Sequence, residues 1–516
     1  MLWFMVLGIL CIILYYKTIK PLSYWKNNGV VYKQSYPIVG SFGAVVFQRQ
    51  PLFYYIKETY QQFSKERYYG IYQFNKAGLF IRDLELIKRI AIKDFDHFTD
   101  HMGFAPSEFD MMFRKNLFNL QGQGWRGMRA TLSPSFTSNF TNYFKRQTGD
   151  TLELEMKDVF TRFTNDAIAT TAFGIKCNSL QNRNDEFYLM AKDATNITGL
   201  KFFKFLLYNL FPGVSRFLKL RVTPVSVNNF FQQIIKDTIW QREKEGLFRP
   251  DMIHLLMEAR KEVDSTEETH LPETSFAAVQ ESRMIQSHKR HNLDLSEEDI
   301  ASQALLFIFG GFETSSSLLT FTAYELAVNP KIQERLQKEI DDTLNYCNGK
   351  LTYEVLHKMK YMDMLISETL RKWPPCFQND RVCVKDYLVE PVNPWENKLL
   401  IKKGMIVLFP VVGIHHDPQY FPNPEEFNPD RFSDENKHNI KPISYFPFGV
   451  GPRNCIASRF ALMEVKVLIF YLLSKFDIVK TKKTPIPIII AKGTINFVAE
   501  GGFWLGLKQR LATSNY

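Results

Sequence analysis

The sequence lacks most of the signals that would divide or staple a long chain. Its 516 residues would suggest about three domains on length alone. Yet no Pro/Gly/Ser-rich linker of useful length and no internal repeat breaks it up. Cysteine is scarce: Cys11, Cys177, Cys347, Cys376, Cys383 and Cys455 are the only six, and their spacing does not repeat. That scatter argues against a disulfide framework and for a reducing, cytosol-facing compartment. The net charge is +10, but there is no Lys/Arg-rich arm and no zinc-type spacing. Nucleic acid is therefore set aside as a partner, leaving an anionic membrane or an acidic protein surface. No Gly-rich dinucleotide fingerprint is present, so the chain does not bring its own nicotinamide or flavin nucleotide. What it has in quantity is apolar material, 45% of residues with 45 phenylalanines, enough for one large, mainly helical core.

The amino terminus reads as an anchor. Met1 to Tyr16 is continuously apolar, somewhat short of the ~20 residues a span usually needs. No basic residue precedes it and no small-residue cleavage site follows, so an uncleaved anchor over residues 1–20 is expected. Lys17, Lys20 and Lys26 lie on its far side, which places the rest of the chain in the cytoplasm. Residues 21–45, with Tyr36-Pro37-Ile38-Val39-Gly40, read as a hinge, and 46–516 as the catalytic domain. Short strands are expected within Ile71 to Ile81, and a helix from Glu85 to Phe95. Leu200 to Leu220 fits either a core helix or a helix at a membrane interface, given Lys201, Lys204, Arg216 and Lys219. Glu262 to Leu295 is polar and reads as a mobile solvent loop.

Two stretches carry chemistry. In Phe448-Gly449-Val450-Gly451-Pro452-Arg453-Asn454-Cys455-Ile456-Ala457, two glycines permit positive φ and a close pass by something flat. Cys455 then stands just before a helix, where unpaired N–H groups favour a thiolate. The plain alternative is a buried structural cysteine. The second stretch is an apolar run from Ile300 towards Ala327, with Ser296 placed to cap its start. It is long enough for a membrane span, but Gln303, Glu313 and the hydroxyls of Thr314 to Ser317 oppose that reading. Gly310 and Gly311 sit mid-run, each costing about 1 kcal/mol against alanine in a helix. Beside them Glu313 and Thr314 set an acid next to an alcohol, suitable for relaying protons.

These residues together resemble the cytochrome P450 family. The cysteine loop matches its pattern Phe-Gly-x-Gly-x-Arg-x-Cys-x-Gly except for Ala457 at the last glycine. Gly310-Gly311-Phe312-Glu313-Thr314-Ser315 matches its oxygen-activating pattern. The resemblance implies a mainly α fold with small β-sheets: a single large helical domain behind an N-terminal membrane anchor. It implies haem b with Cys455 as the axial thiolate, Phe448 and Gly449 in the cofactor loop, and Trp125, Arg129, Arg381 and Arg453 at the haem propionates. It gives Glu313 and Thr314 the catalytic relay, and Glu368, Arg371 and Arg431 a structural lock. Ala457 is expected to alter helix–haem packing more than ligation. His415-His416-Asp417 matches a family loop and is assigned no metal.

The implied activity is monooxygenation of an apolar small molecule, a xenobiotic or an endogenous lipid or terpenoid. Electrons are expected from NADPH–cytochrome P450 reductase, with cytochrome b5 as a candidate second donor and the cytoplasmic face of the endoplasmic reticulum membrane as the location. Local wording such as Pro250-Asp251-Met252-Ile253-His254-Leu255-Leu256 resembles insect microsomal members. The alternatives are a haem-thiolate isomerase or dehydratase without a reductase, and a haem-binding protein without catalysis.

Overall fold

The computed structural model describes residues 2–102, 115–121, 125, 128, 151–197, 199–210, 212–221, 223–249, 251–260, 295–347, 351–494 and 497–510. Arg129 and the stretch 262–294 read as a loop lie outside these residues.

The longer helices, in chain order, are α1 (Leu2–Leu14), α2 (Leu52–Gln62), α3 (Met156–Phe173), α4 (Glu186–Thr195), α5 (Gly199–Leu210), α6 (Val225–Glu245), α7 (Met252–Arg260), α8 (Glu297–Val328), α9 (Pro330–Tyr346), α10 (Lys360–Lys372) and α11 (Ser458–Leu473). The strands are β1 (Tyr68–Gln73), β2 (Lys76–Ile81), β3 (Leu152–Glu155), β4 (Asn379–Val382), β5 (Tyr387–Val389), β6 (Leu399–Ile401), β7 (Ile406–Phe409), β8 (Phe476–Lys480) and β9 (Trp504–Gln509). The main sheet runs β1-β2-β7-β4, beside a three-stranded sheet β3-β9-β8 and a hairpin β5-β6. In the main sheet only the β2–β7 pair is parallel, with Gly78 opposite Ile406 and Phe80 opposite Leu408. Strand β4 lies at one edge, opposite β1, and sets Arg381 opposite Val407.

The fold is built along α8. Its 32 residues span about 48 Å. Ser296 caps it in a full capping box with Asp299, and Glu297, Glu298 and Asp299 complement the dipole of the first turn. Its amino-terminal half, Ile300 to Phe312, buries into a cluster with α3, α4, α6 and α7. Its carboxy-terminal half, Leu318 to Ala327, buries against α9, α10 and α11, while Phe321 and Tyr324 join a third cluster beside the main sheet. Between the two halves lies the polar run Glu313 to Ser317. The helix is long and apolar enough to cross a membrane, but most of it is buried within the protein, as in a core helix.

At the amino terminus α1 has highly exposed Trp3 and Phe4, and a π-helical turn (Tyr15–Ile19) continues it. The segment after it is tied to the sheet: Trp25 is fully buried and donates through Nε1 to the Ile71 carbonyl at 2.9 Å. The expected strands are β1 and β2. The helix expected from Glu85 to Phe95 is present as an α-turn (Leu84–Lys88) running into a π-helical one (Arg89–Lys93).

Candidate active site

The cysteine loop leads directly into α11, whose amino-terminal cap is Ala457, without a side-chain capping bond. Gly449 and Gly451 adopt φ of +79° and +78°, a conformation that glycine permits. A Cβ on Gly451 would collide with the Ala91 carbonyl oxygen, so the loop lies backbone to backbone on the Arg89–Lys93 turn. The Cys455 N–H donates to the Phe448 carbonyl at 2.8 Å, closing the turn that presents the side chain. Cys455 is accessible, and no disulfide joins any of the six cysteines. Cys376 stands near enough to be affected by it. Desolvation by the surrounding protein first, then the charges of Cys455 and Asp380, push its thiol up to about 11. It stays a neutral thiol at physiological pH.

Two buried guanidiniums converge on this loop. Arg453 donates to the carbonyls of Thr99 and Leu120, both at 2.7 Å, and lies 4.0 Å over the Trp125 ring. Trp125 is itself buried. Arg381, 1% exposed, reaches the Val450 carbonyl at 2.9 Å from its place on β4. The structure thus brings Trp125, Arg381, Arg453 and Cys455 together. Sequence reading gave His101 no part in cofactor binding, yet it joins them. Its Nδ1 is 3.2 Å from Asp380, its ring stacks on Phe118 at 4.5 Å, and burial lowers its pKa against the pull of Asp380. Only its closeness to Arg381 and Arg453 in space marks it, and nothing in its local sequence does.

On the opposing element, Gly310 and Gly311 do different jobs. A Cβ on Gly311 would come 2.5 Å from Ile168 Cδ1, so that glycine admits α3. At Gly310 a Cβ would meet nothing within 4 Å among the described residues. The Thr314 hydroxyl donates to the Gly310 carbonyl one turn back. Glu313 does not turn to Thr314: its Oε1 lies 2.9 Å from Lys157 Nζ on α3.

Glu368, Arg371 and Arg431 lie together in the structure. Arg371 makes two bonds to Glu368, at 2.7 and 2.8 Å, with both side chains fully buried. Arg431 Nε lies 3.4 Å from Glu368 Oε1, and the Asn428 N–H donates to the same oxygen at 2.9 Å. Arg371 also donates to the His415 carbonyl at 3.0 Å. His415 accepts from the Phe446 N–H just ahead of the cysteine loop, and burial holds it well below its usual pKa, hence neutral. The lock therefore reaches the loop through one histidine. His416 instead contacts the Lys372 carbonyl at 2.9 Å, so the two histidines face different partners.

The donor set suits a flat, carboxylate-bearing group. It joins two buried guanidiniums, an indole and, close to Gly449, a buried Asn379 Nδ2 with no hydrogen-bond partner among the described residues.

Comparison with known proteins defines the class. The family profile described as "Cytochrome P450" matches residues 32–499, so the chain belongs to the cytochrome P450 family. It is an enzyme, a monooxygenase, and the family binds haem b through a cysteine thiolate. Among individual proteins it is similar to cytochrome P450 9e2 of Blattella germanica, with 41% identity across 95% of this chain and 94% of the relative. It is also similar to probable cytochrome P450 9f2 of Drosophila melanogaster, 37% identical over 95% of each chain. Cytochrome P450 6j1 of Blattella germanica is 34% identical over 96% of each.

Proposed function

We propose that the protein is a reductase-dependent monooxygenase of apolar small molecules, anchored by α1 in the endoplasmic reticulum membrane with its catalytic domain in the cytosol. The observation that carries the catalytic part is the accessible Cys455 set in a left-handed glycine loop, with Arg381, Arg453 and Trp125 gathered beside it. Cys455 would hold haem b through its thiolate, and that group would supply the iron for dioxygen activation. Arg453 and Arg381 would hold the propionates with Trp125. Arg129, outside the described residues, is assigned there from its motif. Phe448 and Gly449 shape the cofactor loop, and Glu368, Arg371 and Arg431 hold it still. Thr314 passes protons, and Glu313 is the acid beside it.

For the substrate, the support is the phenylalanine-rich surround of α8, including Phe307 and Phe309. This favours a xenobiotic, lipid or terpenoid over a charged metabolite. Exposed Trp3, Phe4, Leu200, Phe203 and Phe217 support membrane contact. The +10 charge suits an acidic flavin reductase, with cytochrome b5 as a second candidate donor.

Cys455→Ala should abolish the carbon monoxide-shifted Soret band of the reduced protein, and a retained thiolate-type band would refute the ligand assignment. Reconstitution in vesicles should show NADPH- and reductase-dependent product. Turnover without reductase would overturn that part of the reading.

A further inference from the structure

The acid in the middle of α8 is one member of a buried cluster. Lys157, the second residue of α3, places Nζ 2.9 Å from Glu313 Oε1, 2.8 Å from Ser316 Oγ, 2.8 Å from Ser317 Oγ and 3.3 Å from the Glu313 carbonyl. The Lys157 and Glu313 side chains are 11% and 19% exposed. Helix α3 is pinned at this level by other contacts. Gly311 lets Ile168 approach α8, and Thr164 donates to the Phe312 carbonyl at 3.0 Å. At its start Glu155 caps the Asp158 N–H at 2.7 Å and accepts from Phe503 N–H at 2.8 Å. The ammonium is therefore delivered by a fixed helix end. A surface ion pair is loose and worth little, whereas breaking an enclosed one strands a charge.

We propose that Lys157 is a positioning residue for proton delivery, holding the Glu313 carboxylate against α3 so that Thr314 is the group this segment offers to the reacting centre. The proposal rests on the reading of Glu313 and Thr314 as the proton-delivery segment and adds the residue that governs it. The Thr314 hydroxyl donates to Gly310 and its oxygen remains available to accept. Burial draws the Lys157 pKa down, while Glu313 and more weakly Glu155 draw it back. From the other side of α8, Glu464 of α11 bears on Ser315. If the lysine charge is removed, Glu313 is left without its cation in a largely dry site. A carboxylate in that position takes up a proton and no longer needs to stay on α3.

The test uses the full-length, haem-loaded protein with Lys157→Met, Lys157→Arg and the double variant Lys157→Met/Glu313→Gln. Infrared difference spectra at pH 7 should show a neutral-carboxyl band in Lys157→Met. That band should be absent from wild type, from Lys157→Arg and from the double variant. Product per NADPH should fall about a hundredfold, the lower end of what positioned proton transfer contributes, with recovery in Lys157→Arg. Where the methionine variant fails to fold, Lys157→Gln, which keeps hydrogen bonds to Ser316 and Ser317, gives the same readings. A Lys157→Met or Lys157→Gln protein with no such band, or with unchanged coupling and pH profile, overturns the proposal. Thr314→Ala separates the two levels: unchanged coupling there refutes the relay itself, whereas uncoupling there without the lysine effect refutes Lys157 alone.

Discussion

Replacing Glu464 by glutamine should stabilise this protein at neutral and alkaline pH. Glu464 lies on α11, nine residues beyond Cys455, and is 2% exposed. Among the described residues its carboxyl oxygens meet no well-aligned donor, and the Ser315 hydroxyl on α8 is the polar neighbour, whose hydrogen bonding draws the pKa down against burial. Desolvation raises its pKa from 4.5 to about 8. Below pH 4.5 the carboxyl is protonated in both folded and unfolded chains and contributes no pH dependence. As pH rises past 4.5 the unfolded chain releases its proton and the folded one keeps it, so stability falls until the folded group also ionises near pH 8. Each pH unit in that window is worth about 1.4 kcal/mol. The ceiling at pH 8 is therefore about 5 kcal/mol, and partial hydration of the site brings the expected penalty to about 2–5 kcal/mol.

Glutamine keeps the shape and removes the titration. With an unfolding entropy of about 2.1 cal/mol/K per residue, a chain of this size shifts by about 1 °C per kcal/mol. The difference in melting temperature between Glu464→Gln and wild type should thus be near zero at pH 4.5 and grow to about 2–5 °C at pH 8. Circular-dichroism melts of the full-length protein across that range measure it. A difference that does not depend on pH, or a glutamine variant that loses ground as pH rises, would refute the reasoning.

Two further outcomes follow from the scaffold. Arg371→Ala leaves the fully buried Glu368 carboxylate with the longer Arg431 contact and the Asn428 N–H but without its close cation, and should cost about 3–5 kcal/mol in denaturant melts; a loss below about 1 kcal/mol would show that the lock is not structural. Gly451→Ala forces a side chain onto φ +78° and into the Ala91 carbonyl. It should sharply reduce the yield of protein with the thiolate-type spectrum, and wild-type yield would mean that the loop can shift away from the Arg89–Lys93 turn.

Much of the candidate site was readable because it is local. Gly449, Gly451, Arg453 and Cys455 lie within seven residues, and their backbone needs are properties of the residues themselves. The same holds for Ser296 capping α8, and for Trp373-Pro374 ending α10, whose last residue is Lys372. The pairing of Glu368 with Arg371 is one helical turn. Arg431, 63 residues on, was placed only through family resemblance, and the 3.4 Å contact gives it a physical partner.

What the chain could not announce is which distant groups share a buried volume. Lys157 and Glu313 are 156 residues apart and meet only because Gly311 and Thr164 seat α3 on α8. His101 reaches Asp380 across 279 residues, and Glu464 is raised in pKa only by the burial that folding imposes. Sequence determined the turn that presents Cys455 and the acid–alcohol neighbours on α8, since spacing and backbone freedom are encoded residue by residue. Tertiary structure decided the charge and company of each ionisable group, because desolvation and ion pairing depend on which helix lies against which.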